Sequence, residues 1–412
     1  MISRRSFIAA SALTAAAATA AAAATAVAGT TAVAGTGGAS AASPSLPLVL
    51  RNTSGSDVVY AYITGSDATG RPGFVGADGR LNLLPDPSGV LTPTPDYAIP
   101  LGPSGGSATT VTLLDHVIGG RVWFSIGDRL RFFVNPGNPP GLVQPALTPS
   151  DPNWATSWTF CEFTFNSSNL YANISYVDMV ATPISMQSTG SSGLQSVSPL
   201  PAGALGSIAS GLRSQHLADG APWDRLVSVD AGGSVIRILS PTHTPADFGS
   251  YWNAYLNRVW DRYRTQGLTV DTQSGFGSFT GTVSGGVLTF AGLNTNGVPF
   301  TQPSAADIFG CASGPLYNSG PDARGAVAAR LAAALNRSTL LLAAGESQPS
   351  GVAPAQYYQD GTTNHYARLV HEFATVGYAF PYDDVGPSGA PSVDGHLQDA
   401  NPASWTVTLG GG

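Results

Sequence analysis

Two acidic residues stand where the surrounding pattern gives acids a reason to be. The segment Phe160-Cys161-Glu162-Phe163-Thr164-Phe165-Asn166 alternates with period two. Cys161, Phe163 and Phe165 therefore share one face of a strand, and Glu162, Thr164 and Asn166 share the other. The first face reads as core. The second is a row of carboxylate, hydroxyl and amide, which suits a sugar groove and equally an ordinary solvent face. A little further on, Ile174-Ser175-Tyr176-Val177-Asp178-Met179-Val180 reads as another strand, with Asp178 the odd member of an apolar and aromatic run. A lone acid inside a strand is costly unless it is paired or faces water. A hairpin closing over 167–173 would set Glu162 almost opposite Asp178. Two carboxylates facing one groove are what glycoside hydrolysis needs: a proton donor for the leaving oxygen, and a base or nucleophile. Mutual repulsion and an apolar surround would keep one of them protonated.

Other chemistries find little support. The chain has no Gly-x-Ser-x-Gly nucleophile elbow and no Gly-x-x-x-x-Gly-Lys phosphate loop. His371-Glu372 is followed by Thr375 where a zinc-protease motif needs its second histidine. His365 and His371 would point to different sides of a helix and read as capping or packing residues. No Cys-x-x-Cys occurs, so a structural zinc site is not expected. Cys161 and Cys311 could form one bridge or remain two buried thiols. Only 10% of the residues are charged, the net charge is −7, and the basic residues, all of them Arg, are scattered. That argues against nucleic acid as a partner and favours a neutral polysaccharide over an acidic one.

The elements that must position these residues are legible in outline. A basic start with Arg4-Arg5, then an Ala/Thr/Val run without charge until Arg51, reads as a twin-arginine export signal over 1–43. A secreted, extracellular protein with no membrane attachment after cleavage follows. From 44 to 190 short strands alternate with Gly/Pro-rich turns, as in a β-barrel or sandwich. The first hairpin is expected from 48–52 and 58–63. A Ser/Gly linker over 188–198 leads to a mixed α/β domain, 191–344. There Asp247 would cap a helix carrying Tyr251, Trp252, Tyr255, Val259, Trp260 and Tyr263. Strands are expected around 277–290, and helices over 321–342 and 364–376. The segment 345–412 would return to the β domain through strands at 377–384 and 405–409.

Glu162-Phe163-Thr164 and Asn173-Ile174-Ser175-Tyr176-Val177-Asp178 resemble the acidic-cleft strands of thaumatin-like proteins. They look more closely like the bacterial relatives of those proteins, glycoside hydrolase family 64, the laminaripentaose-producing β-1,3-glucanases. The likeness extends to Leu50-Arg51-Asn52, Gly120-Arg121-Val122-Trp123, Ala334-Leu335-Asn336-Arg337, Asn364-His365-Tyr366-Ala367 and Tyr378-Ala379-Phe380-Pro381-Tyr382-Asp383-Asp384-Val385. These matches span nearly the whole chain after residue 43. The resemblance implies a thaumatin-like β domain and an α/β domain flanking a wide groove. It implies a cofactor-free endo-β-1,3-glucanase acting on β-1,3-glucan by inversion, with Glu162 and Asp178 as the catalytic pair. Glu162 is then expected as general acid and Asp178 as general base, in a monomeric protein.

The resemblance also puts Thr164 and Asn166 against the sugar. Tyr171 stands where related enzymes carry a Trp, which keeps a stacking role. Asn173 replaces an acid of the plant proteins, whose cysteine-dense scaffold is also absent. Arg121, Trp154, Asp383 and Asp384 complete the candidate substrate contacts, with Trp158 a weaker one. Asp383 and Asp384 would serve equally as turn residues. A non-catalytic glucan-binding protein on the same scaffold is the competing reading. The sequence leaves open the product length and which acid donates the proton.

Overall fold

The computed structural model describes residues 44–411 apart from 87–88, 244–247, 319 and 392. The expected export segment 1–43 and the expected cap Asp247 lie outside the described residues. The strand Leu46–Asn52 buries every second side chain, Leu46, Leu48, Leu50 and Asn52. It runs parallel to Pro402–Leu409 and antiparallel to Thr109–Leu113. Ile184–Gly190 and Gly193–Val197 complete this five-stranded sheet. An eight-stranded sheet packs against it. There Val117–Ile126 lies between Val59–Ser66 and Ser157–Phe165, and Leu170–Asn173 and His396–Asp399 continue to one edge. Leu48, Val111, Met186 and Val407 of the first sheet share one core with Ile63, Val122, Phe163 and Leu397 of the second.

Several expectations are corrected. Leu46–Asn52 and Val59–Ser66 are not a hairpin; they belong to opposite sheets. The Asn52 amide, bonded to the Ser56 and Gly102 carbonyls, turns the chain across the sandwich. The expected linker 188–198 is mostly a hairpin of Ile184–Gly190 with Gly193–Val197, and the expected boundary at 190/191 falls in its turn. Small polar residues were mistaken for a loop, although Met186 and Ser188 are buried in alternation. The expected strand 377–384 is a set of turns with one bridge, Ser175 to Tyr378. Gly377 has φ +103°, where a Cβ would meet the Tyr176 ring at 2.5 Å.

The residues between the sandwich strands build helices around a four-stranded sheet whose strands are Val287–Phe290, Ser278–Ser284, Leu268–Asp271 and Ser347–Gln348. That last strand lies beyond the expected boundary at 344/345. The aromatic periodicity yields the helix Asn253–Arg262, which buries Tyr255, Leu256, Val259 and Trp260. The Ala-rich helix is Ala323–Asn336, capped by the Asp322 carboxylate. Asn364 caps His365–Phe373 through its side chain. A further helix, Ala204–Asp219, went unread because its Ser and Gly content blurs the pattern; it buries Ile208, Ala209 and Leu212. Among the described residues no helix is long and apolar enough to cross a membrane. Cys161 and Cys311 are separate buried thiols, not a disulfide, and burial pushes both above the ordinary thiol range.

Candidate active site

Glu162 comes from the middle of Ser157–Phe165, where pleating buries Cys161, Phe163 and Phe165 and turns Glu162 and Thr164 to the opposite face. Asn173, not Asp178, stands directly across from it on Leu170–Asn173, and Arg121 stands across on the other side. The hairpin turns earlier than expected because Asn166 closes it: its Oδ1 accepts the Ser168 and Asn169 N–H groups. Asn166 thus closes the turn through its Oδ1. The Thr164 hydroxyl accepts from Gly119 N at 3.1 Å, at a bulge that needs glycine: a Cβ on Gly120 would meet the Phe163 ring at 2.6 Å.

The face carrying Glu162 is divided. Tyr62, Phe74, Trp123, Trp158 and Phe132 form a second apolar core on one half. Trp158 is therefore core and not a sugar contact. The other half carries Glu162, Thr164, Tyr171 and Asn173 in partly open positions. At the border, Arg121 gives two N–H groups to the same Glu162 oxygen, Nε to Oε1 at 3.2 Å and Nη2 to Oε1 at 2.9 Å. Its Nη1 donates to Gln144 Oε1 at 2.9 Å, and its guanidinium lies 4.3 Å from the centre of the Phe160 ring. Glu162 is thereby held by one oxygen, with Arg121 clamped from two further sides.

Asp178 is not in a strand. The segment from Ile174 onward leaves the sheet and is pinned by its backbone: Ile174 N to Gly395 O at 3.0 Å, and Tyr176 N to Tyr378 O at 2.7 Å. Tyr366 adds a bond from its hydroxyl to Tyr176 O at 2.5 Å. Immediately after Asp178, Met179–Val180 pairs with Val235–Leu239 in a separate small sheet. That register sets Ser240 beside Asp178, with Ser240 N bonding Asp178 O at 2.9 Å. The following turn returns His243, whose Nε2 lies 2.6 Å from Asp178 Oδ1. Both side chains are about a quarter to a third exposed, 30% and 26%. Phe160, two residues before Glu162 on the same face, lines a small recess with Thr159, Ser175 and Asp178. The ring that supports the Glu162 clamp is thus also a wall of the Asp178 recess.

The remaining candidates divide between the two sides. Tyr171 lies across from Thr164 and is partly exposed on the Glu162 face. Trp154 is partly exposed and tied down by buried Arg237, which donates to its carbonyl at 2.8 Å and to that of Thr156, and lies against the Trp154 and Trp158 rings. Arg237 belongs to the strand that pairs with Met179–Val180, so Trp154 flanks the Asp178 side. Asp383 is a correction. It is 3% exposed, and its carboxylate is saturated by Arg337 Nη2 at 2.9 Å, His371 Nε2 at 2.6 Å and Ala379 N at 2.8 Å. A polysaccharide cannot reach it. Asp384, its neighbour, is exposed.

Sequence reasoning missed His243. It is the single histidine of Pro241-Thr242-His243-Thr244-Pro245, far in sequence from Asp178, and only the register of Met179–Val180 with Val235–Leu239 brings it there. Among the described residues, no three His, Cys, Asp or Glu side chains gather as metal ligands. Chemically, the arrangement offers two carboxylates beside one aromatic wall, Glu162 held by Arg121 and Asp178 by His243.

Comparison with known proteins identifies relatives of the whole chain. The family model for glycoside hydrolase family 64, described as beta-1,3-glucanase, matches residues 44–409. A glucan endo-1,3-beta-glucosidase of Cellulosimicrobium cellulans is 33% identical over 391 residues, covering 91% of this chain and 68% of the relative. One from Arthrobacter sp. (strain YCWD3) is 32% identical over 386 residues, covering 90% and 67%. Among solved structures, a laminaripentaose-producing beta-1,3-glucanase in complex with laminaritetraose superposes with TM-score 0.76 at 32% identity, over 89% of this chain and 99% of that one. A family 64 beta-1,3-glucanase domain from Clostridium beijerinckii shares the fold, with TM-score 0.66 at 23% identity over 89% and 98% of the two chains.

Proposed function

The chain belongs to glycoside hydrolase family 64, the β-1,3-glucanases, and from that premise we propose that it cuts β-1,3-glucan internally by a single displacement. Glu162 protonates the glycosidic oxygen as the bond to the anomeric carbon breaks. Asp178 takes a proton from the water that attacks that carbon from the opposite side. The observation that carries this reading is that two oriented acids flank the Phe160 ring, Glu162 held by Arg121 and Asp178 by His243. With Oε1 of Glu162 occupied by Arg121, the other oxygen is the one to present the proton. His243 Nε2, 2.6 Å from Oδ1, orients the Asp178 carboxylate to receive the proton of the attacking water. Thr164, Tyr171 and Trp154 supply sugar contacts on either side, in a groove between the sandwich and the α/β part.

The kinship of the sandwich with thaumatin-like proteins, action as a monomer, and release outside the cell after removal of residues 1–43 belong to the same proposal. The basic start and uncharged run of those residues support export. Short laminarioligosaccharides, laminaripentaose among them, are the expected products, supported by the product of the structural relative at 32% identity.

Reducing-sugar release from laminarin and curdlan, with a β-1,4-glucan as control, tests the substrate class. Glu162→Gln and Asp178→Asn test the pair: each is expected to lower turnover about 10²–10⁴-fold while the thermal midpoint and glucan binding persist. Near-wild-type turnover in either variant removes that residue from the pair. Binding of glucan without any release by the wild-type chain overturns the hydrolase reading.

A further inference from the structure

The open half of the Glu162 face does not end at Leu170–Asn173. The edge strand His396–Asp399 pairs with it antiparallel, His396 across from Asn173 and Gln398 across from Tyr171. Directly paired residues project to the same side of a sheet. Carried one strand further, Asn173 lies across from Glu162 and Tyr171 across from Thr164. Two unbroken rows result: His396, Asn173 and Glu162 in one, Gln398, Tyr171 and Thr164 in the other. Pleating of the edge strand agrees, with Leu397 and Asp399 fully buried and His396 and Gln398 exposed.

We infer that His396 and Gln398 form a distal subsite for the same β-1,3-glucan chain, on the side of Glu162 away from Arg121. This rests on the function proposed above. Strands spaced about 4.8 Å apart put the edge row about 9.6 Å from the Glu162 row, too far for the sugar at the scissile bond and within reach of sugars beyond it. The chemistry matches a neutral polyhydroxylated ligand: an amide, an imidazole and, between them, Asn173 and the Tyr171 ring. Open polar side chains around an aromatic ring are what sugar recognition uses, with hydroxyls bonded and ring faces stacked.

Both edge residues are also fixed in place, which a chance surface pair would not be. The Gln195 side chain bonds both backbone groups of Gln398, Oε1 accepting from its N–H at 3.0 Å and Nε2 donating to its carbonyl at 2.6 Å. One amide thus closes the edge as a neighbouring strand would, and leaves the Gln398 side chain directed to the open face. His396 Nδ1 lies 2.7 Å from Asp394 Oδ2, which orients the ring.

The test is hydrolysis of laminarin by the wild-type protein, His396→Ala, Gln398→Ala, the double variant and His396→Gln. The single variants are expected to raise KM about 3- to 10-fold each, with kcat at saturation and the thermal midpoint unchanged. His396→Gln, which keeps a side-chain donor, should recover most of the His396→Ala loss. A role confined to structure would instead lower kcat or the midpoint and leave KM alone. Unchanged KM in the double variant of an active enzyme overturns the subsite. Should the wild-type protein release no sugar, the hydrolase reading fails by itself. Titration with laminarin then decides: weakened binding in the double variant upholds the subsite, and equal binding overturns it.

Discussion

The imidazole Nε2 of His243 stands 2.6 Å from Oδ1 of Asp178, 65 residues away in sequence, delivered there by the pairing of Met179–Val180 with Val235–Leu239. Asp178 lies on an irregular segment held by backbone bonds, so its carboxylate has no strand to fix its direction. His243 supplies that direction. We expect His243→Ala to lower kcat on laminarin about 10²-fold, the order of loss that follows a misplaced reacting group, with KM little changed. His243→Gln, whose amide nitrogen reaches a similar point, should recover a substantial part. A kcat within twofold of wild type in His243→Ala would remove His243 from the site.

Arg121 plays the matching part for Glu162, with a difference that can be measured. Its guanidinium uses a planar fork on one oxygen, a third bond to Gln144, and the Phe160 face beneath it. Lysine cannot reproduce a fork and a stack together. Arg121→Lys is therefore expected to lose about tenfold in kcat and Arg121→Met about 10²-fold. Gln144→Ala, which removes only the outer brace, should lose less than Arg121→Lys. The order of the three kcat values is the measurement, and a Gln144→Ala loss equal to Arg121→Met would contradict it.

Alternation made the Glu162 strand legible, since period two over seven residues fixes which side chains are core. The same reasoning failed for Asp178 because an apolar run does not tell a strand from a pinned irregular segment. The backbone partners of that segment, Tyr378 and Gly395, lie some two hundred residues away. The hairpin register differs from the expected one by five positions because Asn166 closes the turn earlier than a connection over 167–173 would. His243, His396 and Gln398 carried no local signal at all; each matters only through a long-range pairing. Three of the segments that carried the family resemblance, around Asn336-Arg337, Asn364 and Asp383, turn out to meet. Asn364 Nδ2 bonds Asn336 Oδ1 at 2.8 Å, and Arg337 binds Asp383.

That meeting point sets a pH window for stability. Burial alone would raise the Asp383 carboxyl, but His371, Arg337 and the Ala379 N–H outweigh it and hold it below its ordinary value. Burial alone would lower His371, and Asp383 reverses this, so its value is raised. A depressed Asp contributes stability above its unfolded pKa of about 3.9, lost as pH falls through the folded value. A raised His contributes fully below its unfolded pKa of about 6.5, lost as pH rises through the folded value. Both contributions coexist between about pH 4 and 6.5, where the thermal midpoint should peak. Asp383→Asn leaves Arg337 buried without its charge partner and is expected to cost about 3–5 kcal/mol. It should also flatten both limbs of the midpoint-against-pH curve. An unshifted curve in that variant would show that the pair does not set the window.

The stereochemical outcome follows from which residue faces Glu162. Directly opposed residues of an antiparallel pair have Cβ atoms about 4.5–5.5 Å apart, close to the roughly 5–5.5 Å carboxyl separation of retaining glycosidases. Had Asp178 stood there, a covalent intermediate would have been the natural expectation. Asn173 stands there instead. Asp178 lies beyond the strand end, bonded back to Ser240 at the margin of another sheet, with Phe160 between the two acids' surroundings. In the proposed reaction the two carboxylates would reach the substrate from different elements, an arrangement suited to the wider separation, about 6.5–9.5 Å, that admits a water molecule. Proton NMR in the first minutes of laminarin hydrolysis should show the α-anomer of the new reducing end rising before mutarotation brings in the β-anomer. A β-anomer first would mean that one acid attacks the sugar directly, and that the two come closer on binding glucan than their separate supports suggest.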